Sequence, residues 1–310
     1  CPSPLHGFGL GVVSTNSQSA SLDTFYPRPL THVTGDVAGV LEGVAGKLDD
    51  AELKALASAL AQVGDTGLAD LANQLIGTDQ PVVATPLTDN APPASVEEAY
   101  LKPHLISHRR VKPHETDLTG LFGLLPNVAW TDQGPVDLKE LPRRQLDARL
   151  KDSVLEVSSV DKFPKMTNYV VPAGVRIAHT ARVRLGAYLG EGTTVMHEGF
   201  INFNAGTAGP GMIEGRISAG VWVGEGSDLG GGCSTMGTLS GGGDIVISVG
   251  KECLIGANAG LGIPLGDRCT IEAGLFVTAG TKVSVLDDGG DTIETISART
   301  LAGRSDLLFR

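Results

Sequence analysis

Six aliphatic residues stand at an unbroken spacing of six: Val171, Ile177, Val183, Leu189, Val195 and Ile201. Neither the 3.6-residue period of a helix nor the two-residue period of a half-exposed strand produces that pattern. The spacing resumes at Ile217, Val223 and Leu229, again at Val249, Ile255 and Leu261, and after a step of four at Leu265, Ile271, Val277 and Val283. Glycine directly follows Leu189, Val223, Leu229, Val249, Ile255, Leu261 and Leu265. A hexad repeat of this kind predicts a solenoid in which three hexads close one triangular coil of about 18 residues. The aliphatic side chain points inward, small residues turn the corners, and successive coils pair as parallel strands about 4.8 Å apart. An ordinary β-sandwich would instead alternate at two, with turns about every 8–12 residues. The hexapeptide period points to the left-handed form.

Glycine usage agrees with this and rules out simpler explanations. Of 310 residues 42 are glycine, about twice the average share of roughly 7%. Yet 41% of the chain is hydrophobic and only 19% charged, which excludes a disordered chain, and no Gly-X-Y period marks collagen. Glycine is thin before residue 170 and dense from Gly174 to Gly280. The predicted organisation is therefore mainly β: an N-terminal α/β domain over 1–168, a left-handed parallel β-helix over 169–285, and a short C-terminal segment over 286–310.

In the first region Gly9–Val13 reads as an opening strand. Asp49-Asp50-Ala51-Glu52-Leu53 places acids in the first turn of a helix, with Leu53, Leu56 and Leu60 on one face. A second short helix is expected over Thr66–Ile76, and Gln80–Pro93 reads as a Pro/Thr/Asp-rich linker. Ser95 then caps a helix that leads to the basic stretch His108-Arg109-Arg110.

With 24 Lys+Arg against 35 Asp+Glu the net charge is −11, and no basic run offers a surface for nucleic acid or an anionic membrane. No run of 18 apolar residues spans a bilayer. The four cysteines, Cys1, Cys233, Cys253 and Cys269, lack a CxxC or a nearby histidine at ligand spacing, and read as reduced, mostly buried residues of a cytoplasmic protein. A chain opening on Cys1 without a signal-peptide pattern is expected to have a trimmed start rather than a secretory leader.

Two stretches depart from the hexad register: Phe203–Gly211, between Ile201 and Ile217, and Thr235–Gly243, before Val249. A coil needs no loops for stability, and irregular loops on a rigid scaffold are where binding groups sit, so both are candidate ligand loops. At these loops, and beside them, the chain resembles the tetrahydrodipicolinate N-succinyltransferase family. The resemblance rests on Val160-Asp161-Lys162-Phe163-Pro164-Lys165-Met166, Val195-Met196-His197-Glu198-Gly199-Phe200-Ile201-Asn202-Phe203-Asn204-Ala205-Gly206, Ile213-Glu214-Gly215-Arg216-Ile217-Ser218-Ala219-Gly220 and Gly237-Thr238-Leu239-Ser240-Gly241-Gly242-Gly243. Leu105-Ile106-Ser107-His108-Arg109 and the ending Leu307-Leu308-Phe309-Arg310 also belong to it, so it runs from about residue 95 to the C-terminus.

The resemblance implies succinyl transfer from succinyl-CoA to the amino group of ring-opened tetrahydrodipicolinate, in the diaminopimelate and lysine pathway. It implies a homotrimer with active sites between neighbouring β-helices, a packing that suits flat-faced prisms around a threefold axis. Glu214 takes the family's catalytic position, as acyl-anhydride nucleophile or as base for the attacking amine. Arg216, alternating to the same side, offers a planar fork for a substrate carboxylate; the bland alternative is a Glu214–Arg216 surface pair. Gly231, Ser234, Ala257, Glu272, Ala273 and Gly280 match ligand-contacting positions, where small residues give a pantetheine arm access to backbone. Arg310 suits the CoA phosphates. The family counterpart of Glu198 can hold Mg²⁺ near the threefold axis, but its partner aspartate is replaced here by Ala181, so a hydrogen-bonded structural glutamate is expected. No cofactor beyond the co-substrate succinyl-CoA is obligatory.

Three alternatives compete. A serine or sugar acetyltransferase of β-helix fold would use His197 as base. His179 and His197 are one coil apart and would stack, as in a γ-class carbonic anhydrase, but no third histidine completes a three-His zinc site. A purely structural β-helix would lack the register breaks.

Overall fold

The computed structural model describes residues 4–237 and 245–310. Cys1 and the motif over 238–243 lie outside the described residues. The chain divides into two compact units, one of residues 1–111 and 115–164, the other of 112–114 and 165–310.

The first unit is built on the long strand Leu5–Thr15, which pairs antiparallel with Ser21–Phe25, Leu30–Val33 and Val82–Leu87. Val82–Leu87 corrects the linker expected over Gln80–Pro93: it is an interior strand that also pairs with Gly46–Leu48. Its five apolar residues and Thr85 form a short buried run whose flanking Pro, Thr and Asp hide it in composition. The helix Asp50–Gln62 starts as expected. Asp49 caps Glu52, whose carboxylate returns a bond to the Asp49 N–H, a reciprocal box that satisfies two otherwise orphaned donors. Leu53, Leu56 and Leu60 all bury. Ser95 caps the helix Val96–Ser107 by accepting from the Glu98 N–H.

The second unit is a parallel β-helix with three sheets, of seven, five and four strands among the described residues. On the first face the inward residues Ile177, Val195, Ile213, Leu229, Ile255, Ile271 and Phe309 stack in register. The second face stacks Val183, Ile201, Ile217, Thr235, Leu261 and Val277. The third stacks Leu189, Thr207, Val223 and Val249, with Leu265 donating its N–H to Ser248 one coil back. The inward residues from Val183 to Val277 are essentially inaccessible, and each fully buried aliphatic contributes about 1.5–3 kcal/mol. The hexad reading thus places the core correctly except at Val171, which is 64% exposed and precedes the first coil, and at Val283, which is only partly buried and lies in an antiparallel hairpin rather than in a coil.

The first register break is also corrected. Phe203–Gly211 is not a loop: Ala205–Thr207 and Gly211–Ile213 are regular strands of the coil. The hexad continues through Thr207, a polar residue that fills the inward position by bonding its hydroxyl to Thr193 at 2.7 Å, so that a buried polar group stays satisfied. What changes is the next corner. From Ile213 to Ile217 the chain takes four residues where six are usual, so the third-face partners Thr207 and Val223 stand 16 residues apart rather than 18. The second break, after Thr235, is an insertion: Val223 and Val249 are 26 residues apart yet pair directly. Beyond Val277 a hairpin, Lys282–Leu286 with Thr292–Ser297, leaves the coil, and Leu308–Phe309 returns as the next strand of the first face.

Candidate active site

In every coil the chain passes from the first face to the second around one edge of the prism. The residues on that edge are 178–182, 196–200, 214–216, 230–234, 256–260 and 272–276, fixed by the pairing of the inward residues on either side. His197, Glu198, Glu214, Arg216, Gly231, Ser234, Ala257, Glu272 and Ala273 all lie on it. Arg310 follows Phe309 and so extends the same edge by one coil beyond Glu272, whose N–H bonds the Phe309 carbonyl at 3.0 Å. Gly280 does not join them, since it lies past Val277 at the other end of the second face.

The shortened corner is the centre of this edge. Between Ile213 and Ile217 only Glu214, Gly215 and Arg216 remain, whereas the corners on either side, Val195 to Ile201 and Leu229 to Thr235, each have five residues. The missing pair leaves a notch. A cavity of about 490 Å³ opens there, lined by Arg182, Glu198, Phe200, Gly215, Arg216, Gly231, Gly232 and Cys233.

Gly215 is obligatory at that corner. A Cβ on it would stand 2.2 Å from Cys233 Sγ and 2.7 Å from the Cys233 carbonyl oxygen. With its carbonyl accepting from Phe200 at 3.0 Å, the corner is drawn against the next coil, and the two flanking side chains are fixed by backbone bonds from Glu214 N–H to Leu229 and from Arg216 N–H to Cys233, both 2.8 Å. The Glu214 carboxylate reaches toward Gly231, passing 3.6 Å from where a Cβ on that residue would be. A Cβ at 231 would stand in ordinary van der Waals contact with it. Among the described residues neither Glu214 nor Arg216 forms an ion pair, so the Glu214–Arg216 surface pair does not form and both charges remain available to a ligand. Beneath them burial pushes the Cys233 thiol up to about 12, which keeps it protonated and removes it as a nucleophile.

One coil away a second cluster borders the cavity. Arg182 donates from Nη2 to Glu198 Oε2 at 3.0 Å and from Nε to the His197 carbonyl at 3.3 Å, while His197 Nδ1 meets Glu198 Oε1 at 3.1 Å. His179 and His197 do meet, with ring centroids 5.3 Å apart and edge to face. These residues do not fit a divalent cation: a guanidinium occupies the Glu198 carboxylate and Ala181 supplies no oxygen. Among the described residues no group of three His, Cys, Asp or Glu side chains could hold a metal ion. Arg182 and Phe200 escaped the sequence reading. The signal was available, because each immediately precedes an inward residue of the second face, as Arg216 and Ser234 do.

A parallel β-helix whose edge carries a carboxylate and a guanidinium over glycine-lined backbone defines the hexapeptide-repeat transferases as the class. Residues 246–279 match the family described as hexapeptide repeat of succinyl-transferase, and residues 125–165 match tetrahydrodipicolinate N-succinyltransferase middle. The 2,3,4,5-tetrahydropyridine-2,6-dicarboxylate N-succinyltransferase of Pseudomonas putida is 61% identical, over 99% of this chain and 91% of that protein. The protein of the same name from Vibrio cholerae is 55% identical over 97% and 90%. A crystal structure of a putative 2,3,4,5-tetrahydropyridine-2-carboxylate N-succinyltransferase from Campylobacter jejuni superposes with a TM-score of 0.89 at 33% identity, covering all of this chain and 90% of that one. The chain belongs to the tetrahydropyridine-dicarboxylate N-succinyltransferase family.

Proposed function

We propose that the protein transfers the succinyl group of succinyl-CoA to the amino group of ring-opened tetrahydrodipicolinate (2-amino-6-oxopimelate), a step toward diaminopimelate and lysine, as a homotrimer. The observation that carries this is the notch at Glu214-Gly215-Arg216, where a carboxylate and a guanidinium, neither in an ion pair among the described residues, flank a corner at which a Cβ would meet Cys233. The guanidinium takes a substrate carboxylate through its planar fork. The carboxylate handles the amine.

Two routes use the same Glu214. As a base, it accepts a proton as the amine nitrogen bonds to the thioester carbonyl carbon; the C–S bond then breaks and the CoA thiolate leaves and is protonated. As a nucleophile, its oxygen displaces the thiolate first, and the amine then cleaves the mixed anhydride and regenerates the carboxylate. The edge residues Gly231, Ser234, Ala257, Glu272 and Ala273, and Arg310 beyond them, extend in one line away from Glu214, as an extended pantetheine arm and its phosphates require; Gly280 stands off that line.

The test is CoA release with succinyl-CoA and the ring-opened acceptor, against acetyl-CoA in parallel. Succinyl-CoA is expected to be strongly preferred, and equal turnover of acetyl-CoA would sink the assignment. Mixing enzyme with succinyl-CoA alone separates the routes: one equivalent of CoA released per site identifies the anhydride, and no release identifies the base.

A further inference from the structure

Three consecutive coils present Arg182, Phe200 and Arg216 at the same register. Val183 pairs with Ile201, Ile201 with Ile217, and Phe200 directly with Arg216, so the three side chains that precede these inward residues form an outward ladder. All three line the one cavity at the notch. Two strand spacings put the ends of the ladder about 10 Å apart. Cation, ring and cation therefore stand in a row beside Glu214.

That row is complementary to a chain with a carboxylate at each end and methylenes between. A seven-carbon α,ω-dicarboxylate in extended form has about 7–8 Å between its carboxyl carbons, from six bonds of about 1.5 Å in zigzag, and each guanidinium adds its own hydrogen-bond reach. We infer that Arg182 is a specificity residue: it binds the distal carboxylate of the amino acceptor, while Arg216 binds the carboxylate beside the reacting amine and Phe200 covers the methylenes between. The assignment rests on the proposed succinyl transfer. It also sets the direction of the acceptor, since the amine must lie at the end nearest Glu214, two residues from Arg216.

Glu198 and the His197 carbonyl hold Arg182 in place without exhausting it. They use one N–H of Nη2 and the N–H of Nε, and a guanidinium has five donors. The Nη1 pair remains uncommitted among the described residues. A lysine, with one compact ammonium, could not serve Glu198, the carbonyl and a substrate carboxylate in the same plane.

The test compares two acceptors that differ only in the distal carboxylate, 2-aminopimelate and 2-aminoheptanoate, each with succinyl-CoA and the full chain. Wild type is expected to prefer the dicarboxylate. Arg182→Ala should raise the KM for 2-aminopimelate on the order of 30-fold and cost 2-aminoheptanoate and succinyl-CoA far less, so that the preference collapses. Arg182→Lys should retain part of it, and carries the same comparison if the alanine variant does not fold. A preference that survives in both variants, or an equal loss on both acceptors, overturns the assignment. Wild-type enzyme that releases no CoA with the ring-opened acceptor either overturns the proposed function instead; calorimetric binding of pimelate then decides the clamp by itself, weakening at least fivefold in Arg182→Lys where Arg182 binds the carboxylate and unchanged where it does not.

Discussion

Charged and titratable side chains are used in opposite ways in the two units. In the first, Lys102 and His104 are fully buried in the helix Val96–Ser107. Lys102 donates to the Ala91 carbonyl at 2.8 Å and to Thr116 at 3.4 Å, and His104 accepts from the Tyr26 N–H while giving its Nδ1 proton to the Tyr100 carbonyl at 2.8 Å. These groups tie helix to strand and loop. In the β-helix the interior holds aliphatics, cysteines, small hydroxyl residues, Met166 and Phe309, and among the described residues no charged side chain is buried there. A repeating interior leaves the outward positions free for chemistry, whereas an α/β unit with irregular packing uses its polar groups as fasteners.

The sharpest way to break that contrast is at the edge. Glu214→Gln should lower turnover with succinyl-CoA by on the order of a thousandfold while leaving the thermal midpoint and CoA binding intact; turnover within tenfold of wild type removes Glu214 from the chemistry. Gly215→Ala comes next, because its Cβ meets the Cys233 sulfur. The expected loss is about 1–3 kcal/mol of stability, read by denaturant unfolding, together with loss of activity. Adding Cys233→Ala should restore only part, since the carbonyl contact remains.

The first unit offers a test of the fasteners through pH. Burial holds the His104 imidazole down to about 3, whereas the unfolded chain binds that proton near 6.5. The unfolded state thus takes up a proton that the folded state refuses, so stability is full above about pH 6.5 and falls as the pH drops toward 3, by at most about 1.4 kcal/mol per pH unit. Denaturant midpoints of wild type and His104→Gln at pH 7 and 5 check this: the wild type should lose more between the two. Equal losses would place the acid sensitivity elsewhere. The smallest effect is expected inside the coil. Thr207→Val keeps shape and lets Thr193 retain its bond to the Gly209 carbonyl at 2.9 Å, so the change should stay within about 1 kcal/mol.

Those cases also mark how far sequence carries. The inward register was legible because a coil repeats one steric demand every six residues, and the edge motif Glu214-Gly215-Arg216 was legible through family resemblance. Thr207 broke the aliphatic pattern without breaking the coil, since a hydroxyl bonded to Thr193 fills the same volume. Val171 obeyed the period but lies outside the first coil, because spacing says nothing of where stacking begins. The strand Val82–Leu87 was masked by turn-forming neighbours. Arg182 shares the register of Arg216, one residue before an inward position, but its bond to Glu198 sixteen residues on becomes visible only in the folded coil.

The deletion between Ile213 and Ile217 has a meaning beyond local packing. An unbroken prism is translationally degenerate: each coil offers a ligand nearly the same surface as the one before, and a long thin molecule could slide along it without a preferred address. Two absent residues act as a dislocation in that lattice. On this edge they lift the degeneracy at one level of the rod, so position along the edge becomes defined, and the corners above and below, each of five residues, can be counted from it. In such a scaffold a site can arise by subtraction.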